Sequence, residues 1–197
     1  MALDTMELET LKPLPAGFRM IRCDVARGEE ALKMGRDIIK RLNEIGKPTY
    51  YVVDETDEEF VDYFRDPESV PLGIVDASGT LAAVGLGSFR RAAIKKFAPF
   101  IPEDARAIPR AVAYVEFIQV AEPYRGLGFQ LTLFRELETR LVASGARYLT
   151  GTVSPDNQYS LNNFLKSGYR EEGRYIMEPF HFPRLLMVKR VDDRATA

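Results

Sequence analysis

Apolar residues recur along this chain in two rhythms, every second position and every third to fourth, and the switches between them mark out the elements. Residues 18–23 alternate as a short strand. The stretch 24–28 supplies a turn into a helix, in which Leu32, Ile38, Ile39, Leu42 and Ile45 fall at helical spacing until Gly46 and Pro48 stop it. Thr56 followed by Glu59 has the form of a capping box, opening a second helix that carries Phe60, Val61 and Phe64 and ends before Pro67. Residues 72–75 and 81–89 are expected to be strands joined by the hairpin turn Asp76-Ala77-Ser78-Gly79.

In the second half, residues 111–120 are apolar except for Glu116 and Gln119, the pattern of a central strand covered on both faces. Leu127, Leu131, Phe134, Leu137 and Leu141 form the stripe of a helix ended by Gly145. Residues 148–153 are the next strand. Ser154-Pro155-Asp156-Asn157 then starts a helix that runs through Lys166 and stops at Gly168. Strands over 169–177 and 185–191, linked by the proline-punctuated loop 178–183, complete one domain spanning 1–197, with 192–197 as a loose tail. Between the third and fourth strands lies a long connector, 90–110. Arg90, Arg91, Lys95 and Lys96 are interleaved there with apolar residues and broken by Pro99 and Pro102, so it is expected to be either a solvated link with a short basic helix or a substrate-facing lid.

Composition narrows the classes. With 46% hydrophobic residues, 197 residues can bury one substantial core. A net charge of −2 argues against a dedicated nucleic-acid binder. The single cysteine, Cys23, excludes an intrachain disulfide and a multi-cysteine metal site, and it sits on an apolar strand as a core residue does. No apolar run is long enough for a membrane span, and the first residues lack a basic-then-apolar signal. A cytoplasmic protein with no membrane partner and no metal is expected.

The chemistry concentrates where the central strand ends. In Val120-Ala121-Glu122-Pro123-Tyr124-Arg125-Gly126-Leu127-Gly128-Phe129, an apolar run passes through a glycine-bracketed turn into an amphipathic helix. Glycine tolerates positive φ and close approach, the first helical N–H groups point outward, and the helix dipole and Arg125 add positive potential. The turn is therefore suited to an anion. A dinucleotide fingerprint would need a third glycine near Leu131 and a later acidic ribose ligand, and a nucleoside-triphosphate loop would need Gly-Lys-Ser/Thr; neither occurs. The pyrophosphate of some other cofactor remains. Glu116 is the second anomaly, because a carboxylate within a buried strand costs several kcal/mol unless it is paired or opens onto a polar cavity. It is the candidate general base.

The run from Glu116 through Pro123, Arg125, Gly126 and Gly128 resembles the signature of the GNAT superfamily of acetyl-CoA-dependent N-acetyltransferases. Asn157-x-x-Ser160-x-x-Asn163-Phe164-Leu165-Lys166-Ser167-Gly168-Tyr169 resembles that family's second motif, and the two together cover about 112–177. The resemblance implies an α/β (α+β) fold. Its mixed, mostly antiparallel sheet has about seven strands flanked by about four helices, and the fourth and fifth strands splay apart to receive acetyl-CoA. It further implies that main-chain groups of Ile118, Gln119 and Val120 pair with the pantetheine arm. The pyrophosphate would fall on Arg125, Gly126, Leu127, Gly128, Phe129 and Gln130, and Asn157 and Ser160 would lie near the cofactor.

Implied in turn is transfer of an acetyl group to a primary amine by direct attack in a ternary complex, with Glu116 removing the proton that an amine of pKa ~10 carries at neutral pH. Two positions depart from the family pattern. Gln130 stands where a small residue closes the loop, and Phe164 stands where many members place the tyrosine that protonates the departing thiolate. A thiol of pKa ~8.5 can leave without a donor, and Tyr159 or Tyr175 are the available substitutes. His181, alone between two phenylalanines, is expected to be packed or solvent-facing. Alternatives are a non-catalytic acyl-CoA-binding module and an acetyltransferase of a protein amine that uses the basic 90–96 segment. A small-molecule amine is the expected partner, and the oligomeric state is open, a homodimer being among the candidates.

Overall fold

The structure, a computed structural model, describes residues 7–50, 56–90 and 95–191. Eight strands form one sheet. In chain order they are β1 (Glu7–Leu8), β2 (Arg19–Arg22), β3 (Ser69–Val75), β4 (Leu81–Ser88), β5 (Val112–Val120), β6 (Tyr148–Val153), β7 (Arg170–Met177) and β8 (Phe182–Arg190). The spatial order is β1-β2-β3-β4-β5-β6-β8-β7, and every neighbouring pair is antiparallel except β5 with β6. The mixed, mostly antiparallel sheet is as expected. The extra strand is β1, two residues too short to carry an alternation.

Five α-helices flank the sheet among the described residues: α1 (Val25–Glu44), α2 (Asp57–Asp62), α3 (Glu103–Ala107), α4 (Phe129–Ala143) and α5 (Gln158–Lys166). Capping chemistry sets their starts. Asp24 is the N-cap of α1, its carboxylate accepting from the Arg27 N–H at 3.0 Å, so the expected turn over 24–28 is already helical. The Thr56–Glu59 box opens α2 as expected.

The buried stripes differ from the sequence pattern in an instructive way. On α1 the fully buried positions are Gly28, Ala31, Met34 and Gly35, whereas Leu32, Ile38 and Leu42 are half-buried and Ile45 is exposed. Small residues let the helix lie close, with Gly28 under the Phe64 ring, and the bulky aliphatics fall to the margins. On α4 the stripe is Phe129, Leu133, Phe134, Leu137 and Leu141; Leu127 precedes the helix and is exposed, and Leu131 is half-buried.

Side chains on the two faces of the sheet build three clusters. One face, with Ala113, Val115, Leu149 and Met187, packs on α4 and α5 through Leu133, Leu137 and Phe164. The opposite face is divided. Its N-terminal half, with Ile21, Val75 and Val84, is covered by Ala31 and Met34 of α1 and by Phe60 and Phe64. Its C-terminal half, with Val112, Tyr114, Leu186 and Val188, is covered by Phe97, Ile101 and Ala105.

That last cover corrects the expectation of a solvated connector. Residues 95–107 are a packed lid whose Phe97 has no exposed surface. A short helix does form there, the 3-10 segment Lys95–Phe100 that carries Lys95 and Lys96 with Pro99 inside it, and α3 begins with Glu103 and Asp104 after Pro102. Arg91 and the tail 192–197 lie outside the described residues. The expected 178–183 loop is shorter, because Phe182 and Pro183 already belong to β8. No helix among the described residues is long and apolar enough to cross a membrane.

Candidate active site

β5 changes character at its middle. From Val112 to Val115 it is buried and pairs in parallel with β6 (Val112↔Tyr148 through Val115↔Gly151), and Tyr114 and Val115 are also paired with β4 on the other edge. From Glu116 onward it is paired with β4 alone, and Glu116, Phe117, Ile118 and Val120 become half-buried. The two parallel strands therefore part after Val115 and Gly151, leaving the β6-facing main chain of 116–120 as the wall of a wedge.

Glu116 sits at the break. Gly87 is opposite Val115 and Leu86 is opposite Phe117, so Glu116 is the extra residue of a β-bulge, a device that bends a strand and re-aims a side chain. Its carboxylate Oε1 accepts a hydrogen bond of 2.5 Å from Ser88 Oγ, and Ser88 has no exposed surface. A charge-assisted hydrogen bond of this kind holds the carboxylate in one orientation.

The turn after β5 has the form an anion needs. Gly126 and Gly128 both lie in the left-handed region, φ 85° and 78°, and a Cβ built on either would meet nothing within 4 Å. Gly128 is the N-cap of α4 and supplies no side-chain cap, so the first-turn N–H groups of α4 face that open space. Gln130 is half-buried in this turn. Tyr124 pins the loop from behind: its hydroxyl donates to Asp76 Oδ2 at 2.7 Å, tying it to the β3–β4 hairpin turn. Donors from Ser78, then Tyr124 and the Thr80 backbone, hold Asp76 down at about 2, and the same contact raises the Tyr124 phenol. Beside the loop, a cavity of about 440 Å³ is lined by α1 (Lys33, Asp37 and Arg41), the hairpin end at Leu81 and residues 121–123 and 125. It lies at the Val120 end of β5, since Ala83 pairs with Val120, and not at the Glu116 end.

On the far wall, Asn157 caps α5 by accepting from the Ser160 N–H at 3.2 Å, and both residues are half-buried. Phe164 is buried edge-on against Phe134 and Tyr169. Its ring tip Cζ would lie 2.6 Å from a Cβ on Gly151, the last β6 residue paired with β5, so the phenyl ring closes the floor of the wedge. The two candidate replacement donors separate clearly. Tyr159 is 83% exposed, whereas Tyr175 lies half-buried near Lys96, whose Nζ is 3.5 Å from the Tyr175 hydroxyl. His181 is exposed and faces Glu178 at 3.1 Å; Cys23 is buried and its thiol is pushed up to about 12 by burial. Among the described residues no group of His, Cys, Asp and Glu side chains is placed to hold a metal.

The wedge, the bulged carboxylate and the glycine turn stand in the order that the sequence motifs imply, and an independent comparison decides the family. The sequence profile of the acetyltransferase (GNAT) family matches residues 39–169, more than half of the chain. The chain belongs to that family. No curated protein matches it significantly. Among solved structures, a GCN5-related N-acetyltransferase from Kribbella flavida is similar at 19% identity, covering 90% of this chain and 99% of its own, with TM-score 0.68. Arabidopsis thaliana NAA60 in complex with acetyl-CoA is similar at 17% identity over 88% and 98%, TM-score 0.69. YncA, a putative acetyltransferase from Salmonella typhimurium with its cofactor acetyl-CoA, is similar at 10% identity over 91% and 97%, TM-score 0.65. These likenesses establish the GNAT fold.

Within this GNAT fold, two features had no signal in the chain alone. Ser88 ends an apolar strand and meets Glu116 only through cross-strand register. Nothing local marks Tyr124, because the acidic hairpin turn that it reaches is far away in sequence.

Proposed function

We propose that the protein transfers an acetyl group from acetyl-CoA to a primary amine, both bound together, with Glu116 as general base. The observation that carries this is the coincidence of three features on one strand: β5 parts from β6 after Val115, Glu116 bulges out at that point, and the strand runs on into the Gly126/Gly128 turn. Acetyl-CoA in two structures of the same fold supports the choice of donor.

Each group has a definite task in this reading. The first-turn N–H groups of α4, with Arg125 beside them, hold the diphosphate. Along Ile118, Gln119 and Val120, where β5 pairs with β4 alone, the pantetheine arm takes the place of a strand on the β6-facing edge and its amide groups are lined up there. A main-chain N–H near Val120 donates to the thioester carbonyl and to the negative charge that develops there, a contribution of typically ~3 kcal/mol for a well-placed donor. Glu116, oriented by Ser88, takes the proton from the acceptor ammonium so that its lone pair can attack the thioester carbon. As the new C–N bond forms, the C–S bond breaks, the sulfur leaves with the electron pair, and the attacking nitrogen gives up its second proton to water or to the departing sulfur. Phe164 offers no proton at the wedge floor, so the leaving group departs as thiolate or takes its proton from that nitrogen, Tyr175 or water.

The test is consumption of acetyl-CoA by the pure protein across a panel of primary amines, with Glu116→Gln run in parallel. Turnover that disappears in the variant while coenzyme A still raises Tm supports the assignment. Stabilisation by coenzyme A with no turnover of any amine is what the second reading, a non-catalytic acyl-CoA-binding module, requires; Phe164 at the tyrosine position is the observation on its side.

A further inference from the structure

One cation beside the wedge, Lys96, has no task in this transfer. Lys96, on the lid, holds its ammonium 5.0 Å from the centre of the Tyr114 ring and 5.3 Å from that of Tyr175. Among the described residues no carboxylate lies within ion-pair distance of it. Phe97, the next residue, is locked into the core, and Phe100 presses on Gly173 of β7, so the lid is seated firmly enough to hold that position.

The cluster adjoins the proposed base. Tyr114 stands directly opposite Ser88 in register, and Ser88 Oγ is the donor to Glu116. Tyr114 also reaches across the root of the wedge, its hydroxyl 2.9 Å from Thr152 Oγ1 on β6. Tyr114 precedes Glu116 by two residues on β5, which bulges at Glu116, so Lys96 flanks the stretch of strand that carries the carboxylate. A second cation, Arg184, is nearly buried on the same face, opposite Tyr175 in register and next in alternation to Leu186. Aromatic faces keep an ammonium in place without neutralising it, which leaves its charge for an anion that enters from the cleft.

We infer that the acceptor is a small amine bearing a carboxylate, its amine toward Glu116 and its carboxylate on Lys96 at the Tyr114–Tyr175 edge. The inference rests on the transfer reading above and narrows its substrate class. An amine without the anion gains nothing from the Lys96 charge, whose hydrogen-bond partner remains the Tyr175 hydroxyl, whereas a carboxylate makes a charge-assisted contact.

Linear ω-amino carboxylates compared with their carboxamides test this, with kcat/KM corrected to the unprotonated amine. The carboxylate of each pair is expected to be favoured by about tenfold, the effect of one charge-assisted hydrogen bond. Raising the salt concentration should shrink that ratio. K96Q should bring it close to one, K96R should keep it, and a wild-type-like rise in Tm with coenzyme A certifies that each variant is folded. Equal use of both members of each pair, or a preference that survives K96Q, overturns the inference and leaves acetyl transfer standing. Failure to acetylate any amine overturns both.

Discussion

The two sides of the wedge are built from different materials. In the proposed reading the donor side is main chain: the edge of β5 over 116–120 from which β6 has parted, then Gly126 and Gly128 at positive φ, then the N-terminus of α4. The acceptor side is side chains drawn from far apart in the sequence, with Ser88 from β4, Lys96 from the lid, Tyr114 and Glu116 from β5, and Tyr175 from β7. A backbone site recognises what every donor molecule shares, and its geometry tolerates few changes. A side-chain site can be rewritten one residue at a time without disturbing the sheet, which is how one fold serves many acceptors.

The sharpest way to break the comparison is at Glu116, where the two sides meet. Glu116→Gln should lower kcat by about 10²-fold or more, the span of a lost general base, and leave the Kd for coenzyme A, measured by calorimetry, near the wild-type value. A variant with full activity and an unchanged pH profile would remove Glu116 from the mechanism.

Gly128→Val attacks the donor side only. A β-branched residue at φ 78° is strained by about 1–2 kcal/mol, and its side chain would enter the space assigned to the diphosphate. The KM for acetyl-CoA should rise by about tenfold or more, and the rise in Tm with coenzyme A should vanish. An unaltered KM would move the phosphate elsewhere.

At the floor of the wedge, Phe164→Tyr restores the hydroxyl found in many relatives, but Cζ lies over Gly151 in a packed aromatic cluster. Overpacking of this kind typically costs about 1–3 kcal/mol. The variant should therefore melt several degrees lower with no gain in kcat, as differential scanning fluorimetry and initial rates will show.

Tyr124→Phe removes the pin behind the phosphate loop and should raise the KM for acetyl-CoA by only about two- to threefold, the scale of one partly exposed hydrogen bond. The pH dependence has a definite sign. Asp76 is depressed from 3.8 to about 2 in the folded protein, so its stabilising contribution is complete above about pH 4 and is lost as pH falls through 2. Over pH 5–8 the contact should stay constant, and the KM difference between wild type and Tyr124→Phe should be flat across that range. The smallest expected effect is none: Cys23, buried with its thiol at about 12, should resist iodoacetamide at pH 8 in the native state and react on unfolding.

Legibility in the sequence follows the same division. The capping box at Thr56, the hairpin at 76–79, the strand 148–153 and the cap at Asn157 were all readable, because each rests on contacts within a few residues. The glycine turn was readable for the same reason. The buried face of α1 was not, since closeness of approach to Phe64 favoured Gly28 and Ala31 over the larger aliphatics. The packed lid was hidden as well: nothing local in Lys95–Phe100 reveals that Phe97 finds Tyr114, Leu186 and Val188.

By itself, then, the sequence determined the order of the main elements, the glycine-bracketed turn and the presence of an anomalous carboxylate on the central strand, because hydrophobic period, capping and glycine chemistry act over a few residues. Only the tertiary structure decided that Glu116 is the bulged residue at the point of divergence, that Ser88 orients it, and that Lys96 stands beside tyrosines of two distant strands. Those relations depend on strand register and on how a distant segment packs, and both are set by the whole core at once.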